Sequence, residues 1–162
     1  MVAAQGMISL PTPDDTVEFG QRLGRLLGAG DLVLLAGPLG AGKTVLVRGI
    51  AAGLGVKGRV SSPTFVIERV HKPGHEGGVP LVHVDAYRLI GHVEEVDDLD
   101  LDSDLTEAAV VIEWGEGLAE QLADDYLVVR LERRPDDTRI AHLEPHGAWT
   151  RRLNLLVSGY PG

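Results

Sequence analysis

Cysteine is absent from the 162-residue chain, which excludes disulfides, thiolate metal ligands and cysteine nucleophiles together. Basic residues are scarce: 15 Lys and Arg stand against 24 Asp and Glu, a formal charge of -9. The mean field of such a chain repels a phosphate backbone, so free-standing nucleic-acid binding would need a local basic patch or a partner to supply the grip. No apolar run approaches the roughly 20 residues that cross a bilayer. Met1 to Leu10 lacks the basic-then-apolar order of a secretory leader. A soluble, cytoplasmic protein without membrane contact is expected. No internal repeat is visible. The length suits a single domain over residues 1–162, and 44% apolar residues are enough to fill its core.

What is present alternates between strand and helix patterns. Met7-Ile8-Ser9-Leu10 reads as a short edge strand. Thr12 is a candidate N-cap, with Pro13 at the first helical position and Asp14 and Asp15 in the first turn; the helix should end near Gly28 or Gly30. Asp31 to Ala36 is short, continuously apolar and bounded by glycine, which reads as a buried strand. A helix through Val45, Leu46, Ile50 and Ala51 should stop at Gly53 or Gly55. Phe65 to Val70 and Val79 to Asp85, joined by the loop Pro73 to Gly78, suggest an antiparallel hairpin. Ala109 to Ile112 is a second buried strand candidate, and Leu118 to Leu122 looks helical. Tyr126–Leu131 and Arg139–Leu143 pair around Asp136-Asp137, and a tail helix runs from Ala148 to Leu156. The acidic stretch Glu94 to Asp104 lacks the glycine and terminal-glutamate spacing of a calcium loop, so a solvated connection is the better reading.

The chemistry concentrates in Gly37-Pro38-Leu39-Gly40-Ala41-Gly42-Lys43-Thr44, a Walker A pattern set between a strand and a helix. Its glycines let the backbone wrap phosphate with N–H groups inward, and the helix that continues through Val45 adds its positive end. Lys43 should bridge the β and γ phosphates, and the Thr44 hydroxyl should be a magnesium ligand. The ligand is read as a purine triphosphate, Mg-ATP. An Asn-Lys-x-Asp guanine-reading segment is missing, which weakens a GTPase reading. An obvious arginine-rich lid is missing too, which weakens a small-molecule kinase.

Hydrolysis needs an acid to hold or orient magnesium and its water. Asp85 and Glu113 each end an apolar strand, and either fits that role. Thr64, after Ser61-Ser62-Pro63, is a candidate switch threonine that senses the γ phosphate. His83 lies two residues before Asp85, on the same strand face, and reads as a strand residue with a structural hydrogen bond. Arg88 meets either phosphate or the acidic segment. Arg133, Arg134, Arg151 and Arg152 are candidates for RNA or partner contact, with solvated surface an equal reading.

Leu39-Gly40-Ala41-Gly42-Lys43-Thr44, Ser62-Pro63-Thr64-Phe65, His83-Val84-Asp85-Ala86-Tyr87-Arg88 and Glu113-Trp114-Gly115-Glu116 occur in that order. The set resembles the TsaE (YjeE) family over roughly residues 12 to 145. The resemblance implies a P-loop NTPase α/β fold with a central mixed sheet flanked by helices. It implies a nucleotide held by Gly37 and the run from Leu39 to Val45, with Trp114 beside it. It implies magnesium and catalytic roles shared among Lys43, Thr44, Thr64, Asp85 and Glu113. It also implies an ATPase, slow alone, acting with a TsaD-TsaB complex that transfers threonylcarbamoyl to tRNA. TsaE itself then meets tRNA only indirectly. A metabolite kinase and a nucleotide-sensing module without essential hydrolysis are the alternatives.

Overall fold

The computed structural model describes residues 6–38, 40–56, 68–85, 107–113 and 123–158, with the backbone alone for Glu68, Arg69 and Asp85. Leu39, Thr64, Phe65, Arg88, Trp114 and the expected helix at 118–122 lie outside them, as does the acidic stretch 94–104. Among the described residues seven strands form one sheet flanked by three helices. They are β1 (Gly6–Leu10), α1 (Pro13–Leu26), β2 (Leu32–Ala36), α2 (Lys43–Leu54), β3 (Glu68–His71), β4 (Leu81–Asp85), β5 (Ala109–Glu113), β6 (Tyr126–Arg133), β7 (Arg139–His146) and α3 (Trp149–Val157).

The strand order is β1-β7-β6-β2-β5-β4-β3. The inner four, β6, β2, β5 and β4, run parallel, while β3 at one edge and β7 and β1 at the other run antiparallel. Parallel strands require both faces covered, and β2 and β5 accordingly read as unbroken apolar runs buried at every position. One face packs Val33, Leu35 and Val111 against Phe19, Leu23, Leu46, Ile50 and Trp149. The other carries Leu32, Leu34, Val82, Val84, Val110, Ile112 and Val128.

α1 begins as its sequence predicts. Thr12 Oγ1 accepts the Asp15 amide at 3.2 Å, and Asp15 returns a carboxylate oxygen to the Thr12 amide at 2.9 Å, a closed capping box. The helix ends at Leu26 with Leu27 as its C-cap, immediately before Gly28, where the stop was expected. α1 then crosses α2 with backbones touching. A Cβ added to Gly49 would lie 2.3 Å from the Val17 carbonyl oxygen, and one on Gly24 would lie 2.3 Å from that of Ile50. Only glycine allows this approach, and it seats α2 firmly on the sheet. α3 is tied to the start of β2 by Arg152, which grips both Asp31 carboxylate oxygens at 2.7 and 2.9 Å and stacks over Trp149.

Candidate functional site

The parallel strands β2, β4 and β5 point their carboxyl ends the same way, which is where ligands bind in open α/β sheets. β2 delivers the glycine loop at that end, β5 delivers Glu113 and β4 delivers Asp85. In register, Leu35 lies beside Glu113, and Glu113 beside Asp85. With strands about 4.8 Å apart, Glu113 therefore stands one strand and Asp85 two strands to the side of Leu35, which leads into the loop two residues on.

The loop is shaped for an anion. Gly37, Gly40 and Gly42 have φ of 146°, 83° and 102°, a region that costs a residue with a Cβ roughly 1–2 kcal/mol. At Gly37 a side chain would also lie 2.8 Å from the Leu131 carbonyl oxygen. Ala41 donates its amide to Pro38 O at 3.1 Å, which folds the loop back on itself. Lys43 Nζ reaches over to Gly37 O at 3.0 Å, so the ammonium lies across the loop. The first intrahelical bond of α2 runs from Leu46 N–H to Gly42 O, and no side chain caps the helix. Its first-turn amides thus have no intrahelical acceptor. α1, thirty residues earlier, is closed at the same position by its capping box. The contrast leaves the α2 N-terminus with donors of the kind that can bind an anion.

Behind the loop stands a group that sequence reasoning missed. Arg139, at the start of β7, donates Nε to Ala41 O at 3.1 Å and Nη2 to Gly40 O at 3.2 Å. Its Nη1 meets Asp137 Oδ1 at 3.1 Å, and the same oxygen accepts Arg133 Nε at 2.9 Å. The hydrogen bonds from Arg139 first, and then from Arg133, hold the Asp137 carboxyl below the usual aspartate range. Asp137 itself takes φ of 71°, the left-handed conformation aspartate tolerates in a tight turn. The turn of the β6–β7 hairpin thus places two guanidiniums against the glycine loop. The sequence held no visible arginine lid because these cations lie some hundred residues downstream, in a hairpin with no motif of its own. Of the arginines weighed between RNA or partner contact and solvated surface, Arg133 is exposed and flanks the loop at Gly40, and Arg152 is committed to Asp31. Arg134 faces Glu132 at 3.5 Å, and Arg151 is exposed.

A cavity of about 310 Å³ adjoins the loop. Leu10, Pro11, Pro13 and Val45 supply apolar walls, and Thr12, Asp136, Asp137 and Arg139 supply polar ones. Gly42 is part of its lining, so the cavity borders the glycine loop directly. Its volume lies at the lower end of the roughly 300–1,000 Å³ of small-molecule sites.

Glu113 is 6% exposed and His83 0%. His83 Nε2 stands 2.9 Å from Glu113 Oε2, the structural hydrogen bond expected of His83, now with its partner identified. Of the residues expected at the site, the structure brings together Gly37, Gly40, Ala41, Gly42, Lys43, Thr44, Val45 and Glu113, with the Asp85 backbone beside them. Among the described residues no cluster of three or more His, Asp or Glu forms a closed metal cage.

The comparisons with known proteins agree with this geometry. The family model for "Threonylcarbamoyl adenosine biosynthesis protein TsaE" matches residues 10–141. The chain belongs to the TsaE family of threonylcarbamoyladenosine biosynthesis proteins. It is 59% identical over 147 residues to the Streptomyces coelicolor tRNA threonylcarbamoyladenosine biosynthesis protein TsaE, covering 90% of this chain and 99% of that one. It is 55% identical over 142 residues to the Mycobacterium tuberculosis protein of the same name, covering 84% of each. Among solved structures it is similar to Bacillus subtilis YdiB, with a TM-score of 0.73 and 28% identity over 94% of this chain and 93% of that one. TsaE membership and the mixed-sheet α/β fold stand as the sequence suggested.

Proposed function

We propose that this TsaE protein is a magnesium-dependent ATPase that serves tRNA threonylcarbamoyladenosine modification by acting on a TsaD-TsaB transferase complex. The observation that carries the reading is the glycine loop between β2 and α2, opening on an uncapped helix end with Lys43 across it. Such a loop matches a triphosphate in shape and charge.

The roles follow from position. First-turn amides of α2 and the Lys43 ammonium bind the phosphates. Magnesium favours hard oxygen donors, and the donor set fits: the Thr44 hydroxyl in the first turn of α2, and Glu113 Oε1, the oxygen His83 leaves open. When bound, the ion would neutralise charge developing on the phosphate oxygens. Asp85, paired in register with Glu113, is assigned to orienting the attacking water, and Thr64 to sensing the γ phosphate. The cavity beside Gly42 takes the base, and Trp114 is placed near the nucleotide by family resemblance. Slow turnover alone follows if the partner completes the water-positioning and charge-stabilising groups. The net charge of -9 suits a protein that leaves the grip on tRNA to its partner.

The test is ATP turnover with and without a purified TsaD-TsaB pair and tRNA, with Lys43→Ala as the blank. Stimulation that vanishes in the blank is expected. Absence of both stimulation and co-purification would refute the partner assignment.

A further inference from the structure

Glu113 ends a strand buried on both faces, and its carboxylate is largely withdrawn from water. A buried carboxylate needs hydrogen-bond donors. Among the described residues the donor is His83, whose ring is fully buried one strand away on β4. The register pairs His83 with Val111 and Asp85 with Glu113, so the imidazole reaches forward by two residues toward the strand end. Nε2 must carry the proton it donates to Oε2. The other ring nitrogen, Nδ1, is buried without a hydrogen-bond partner among the described residues. Packing alone does not ask for such a group, because an apolar side chain would fill the space without an orphaned nitrogen. Among the described residues, the cost of burying the ring is offset at one place, the Glu113 carboxylate.

We propose that His83 is the positioning residue of the magnesium acid. It pins Oε2 from below, so that Oε1 is presented at the open end of β5 before metal and nucleotide arrive. The proposal rests on the Mg-nucleotide reading above and adds a residue to it. Partners of this kind, one shell removed from a metal, fix the orientation of a ligand, and their loss costs roughly 10–100-fold in metal affinity.

The experiment measures the affinity of a fluorescent ATP analogue in EDTA and in magnesium, the ratio being the magnesium coupling. The proteins are wild type, His83→Phe, His83→Gln, His83→Asn, Glu113→Gln and the His83→Phe/Glu113→Gln double variant. Glutamine carries an amide N–H to about the reach of Nε2, whereas asparagine carries it only to that of Nδ1. The expected result is a coupling reduced about 10–100-fold in His83→Phe, with the EDTA affinity unchanged. Coupling should be largely restored in His83→Gln and lost in His83→Asn, and the double variant should lose no more than Glu113→Gln alone. A His83→Phe protein with wild-type coupling would overturn the proposal. Should His83→Phe fail to fold, the glutamine and asparagine variants decide, and equal coupling in those two overturns it. Wild-type protein with nucleotide affinity indifferent to magnesium would instead overturn the underlying site reading, which separates the two failures.

Discussion

Replacing Arg139 by leucine tests whether the glycine loop is held in shape before ligand arrives. Arg139 donates to the carbonyls of Gly40 and Ala41 at 3.2 and 3.1 Å. In a trans peptide the carbonyl and the following N–H point opposite ways, so drawing the Ala41 carbonyl outward turns the Gly42 amide inward. Hydrogen bonds to a charged donor contribute about 1.5–3 kcal/mol each when well buried. The Arg139 side chain is 20% exposed, and carbonyls released by its loss can be partly rehydrated, so about 1–2 kcal/mol for the pair is the discounted figure. That corresponds to a roughly 5–30-fold weaker nucleotide affinity. The assay is titration with a fluorescent ATP analogue in EDTA, which keeps Glu113 out of the measurement, with circular dichroism confirming the fold. Arg139→Lys should recover only part of the loss, because an ammonium lacks the planar fork that spans two carbonyls. If Arg139→Leu binds within about twofold of wild type, the loop orders itself and the reasoning fails. Full recovery by lysine would show that charge, and not geometry, is what Arg139 supplies.

Lys43→Ala should lose phosphate affinity while its melting curve stays near wild type, since the lysine spans a surface loop; unchanged ATP affinity would count against the phosphate model. Gly49→Ala places a methyl 2.3 Å from the Val17 carbonyl oxygen. Because the atom met is backbone, overpacking should reach about 2–3 kcal/mol; less about 1 kcal/mol of gained helix propensity, the net of about 1–2 kcal/mol should lower the melting temperature by about 2–8 °C. An unchanged or raised midpoint would mean the helices separate without cost. Arg152→Ala should lower thermal stability, because it frees the buried side of Asp31 and unstacks Trp149, and it should leave tRNA-dependent stimulation intact; the reverse pattern would restore Arg152 as an RNA contact. The Asp137 pKa is depressed by Arg139 and then Arg133. Its stabilising contribution is therefore present above the ordinary aspartate value and lost only as pH falls through the lowered one. Nucleotide affinity in wild type should not vary through Asp137 between about pH 5 and about pH 8, and Asp137→Asn should weaken binding across that whole range.

The fold was readable wherever a local rule sufficed. Continuous apolar runs between glycines marked β2 and β5 as buried parallel strands, because only a strand covered on both faces tolerates such a run. Thr12, Pro13 and Asp15 announced the start of α1 through hydrogen bonds that span three residues. The end of α1 was legible too, but what secures the chain beyond it was not. Gly28 and Gly30 look like a stop, and the chain does leave the helix just before Gly28; beyond it Asp31 accepts the Gly28 amide at 2.7 Å and meets Arg152 from α3. That outcome depends on a partner 121 positions away, and no window of local sequence contains it.

The same distinction separates the two halves of the site. A glycine loop of the Walker A pattern announces itself because one chain segment must supply the strand, the glycines, the lysine and the helix in fixed order, so the constraint is written contiguously. The cations behind that loop face no such constraint. A guanidinium can reach Gly40 and Ala41 from any element that ends nearby, and here the element is a hairpin whose turn residues, Asp136 and Asp137, read only as turn chemistry. Glu113 and His83 lie between these extremes. Each occurs in a recognisable run, but their 2.9 Å contact follows from β4 and β5 being parallel neighbours with Asp85 opposite Glu113. A slip of one residue in that register would move His83 to the other face of the sheet and leave the Glu113 carboxylate buried without its donor. The register of two central strands thereby fixes the orientation of the acid, which is why a histidine that looked merely structural in the sequence acquires a chemical role once the sheet is assembled.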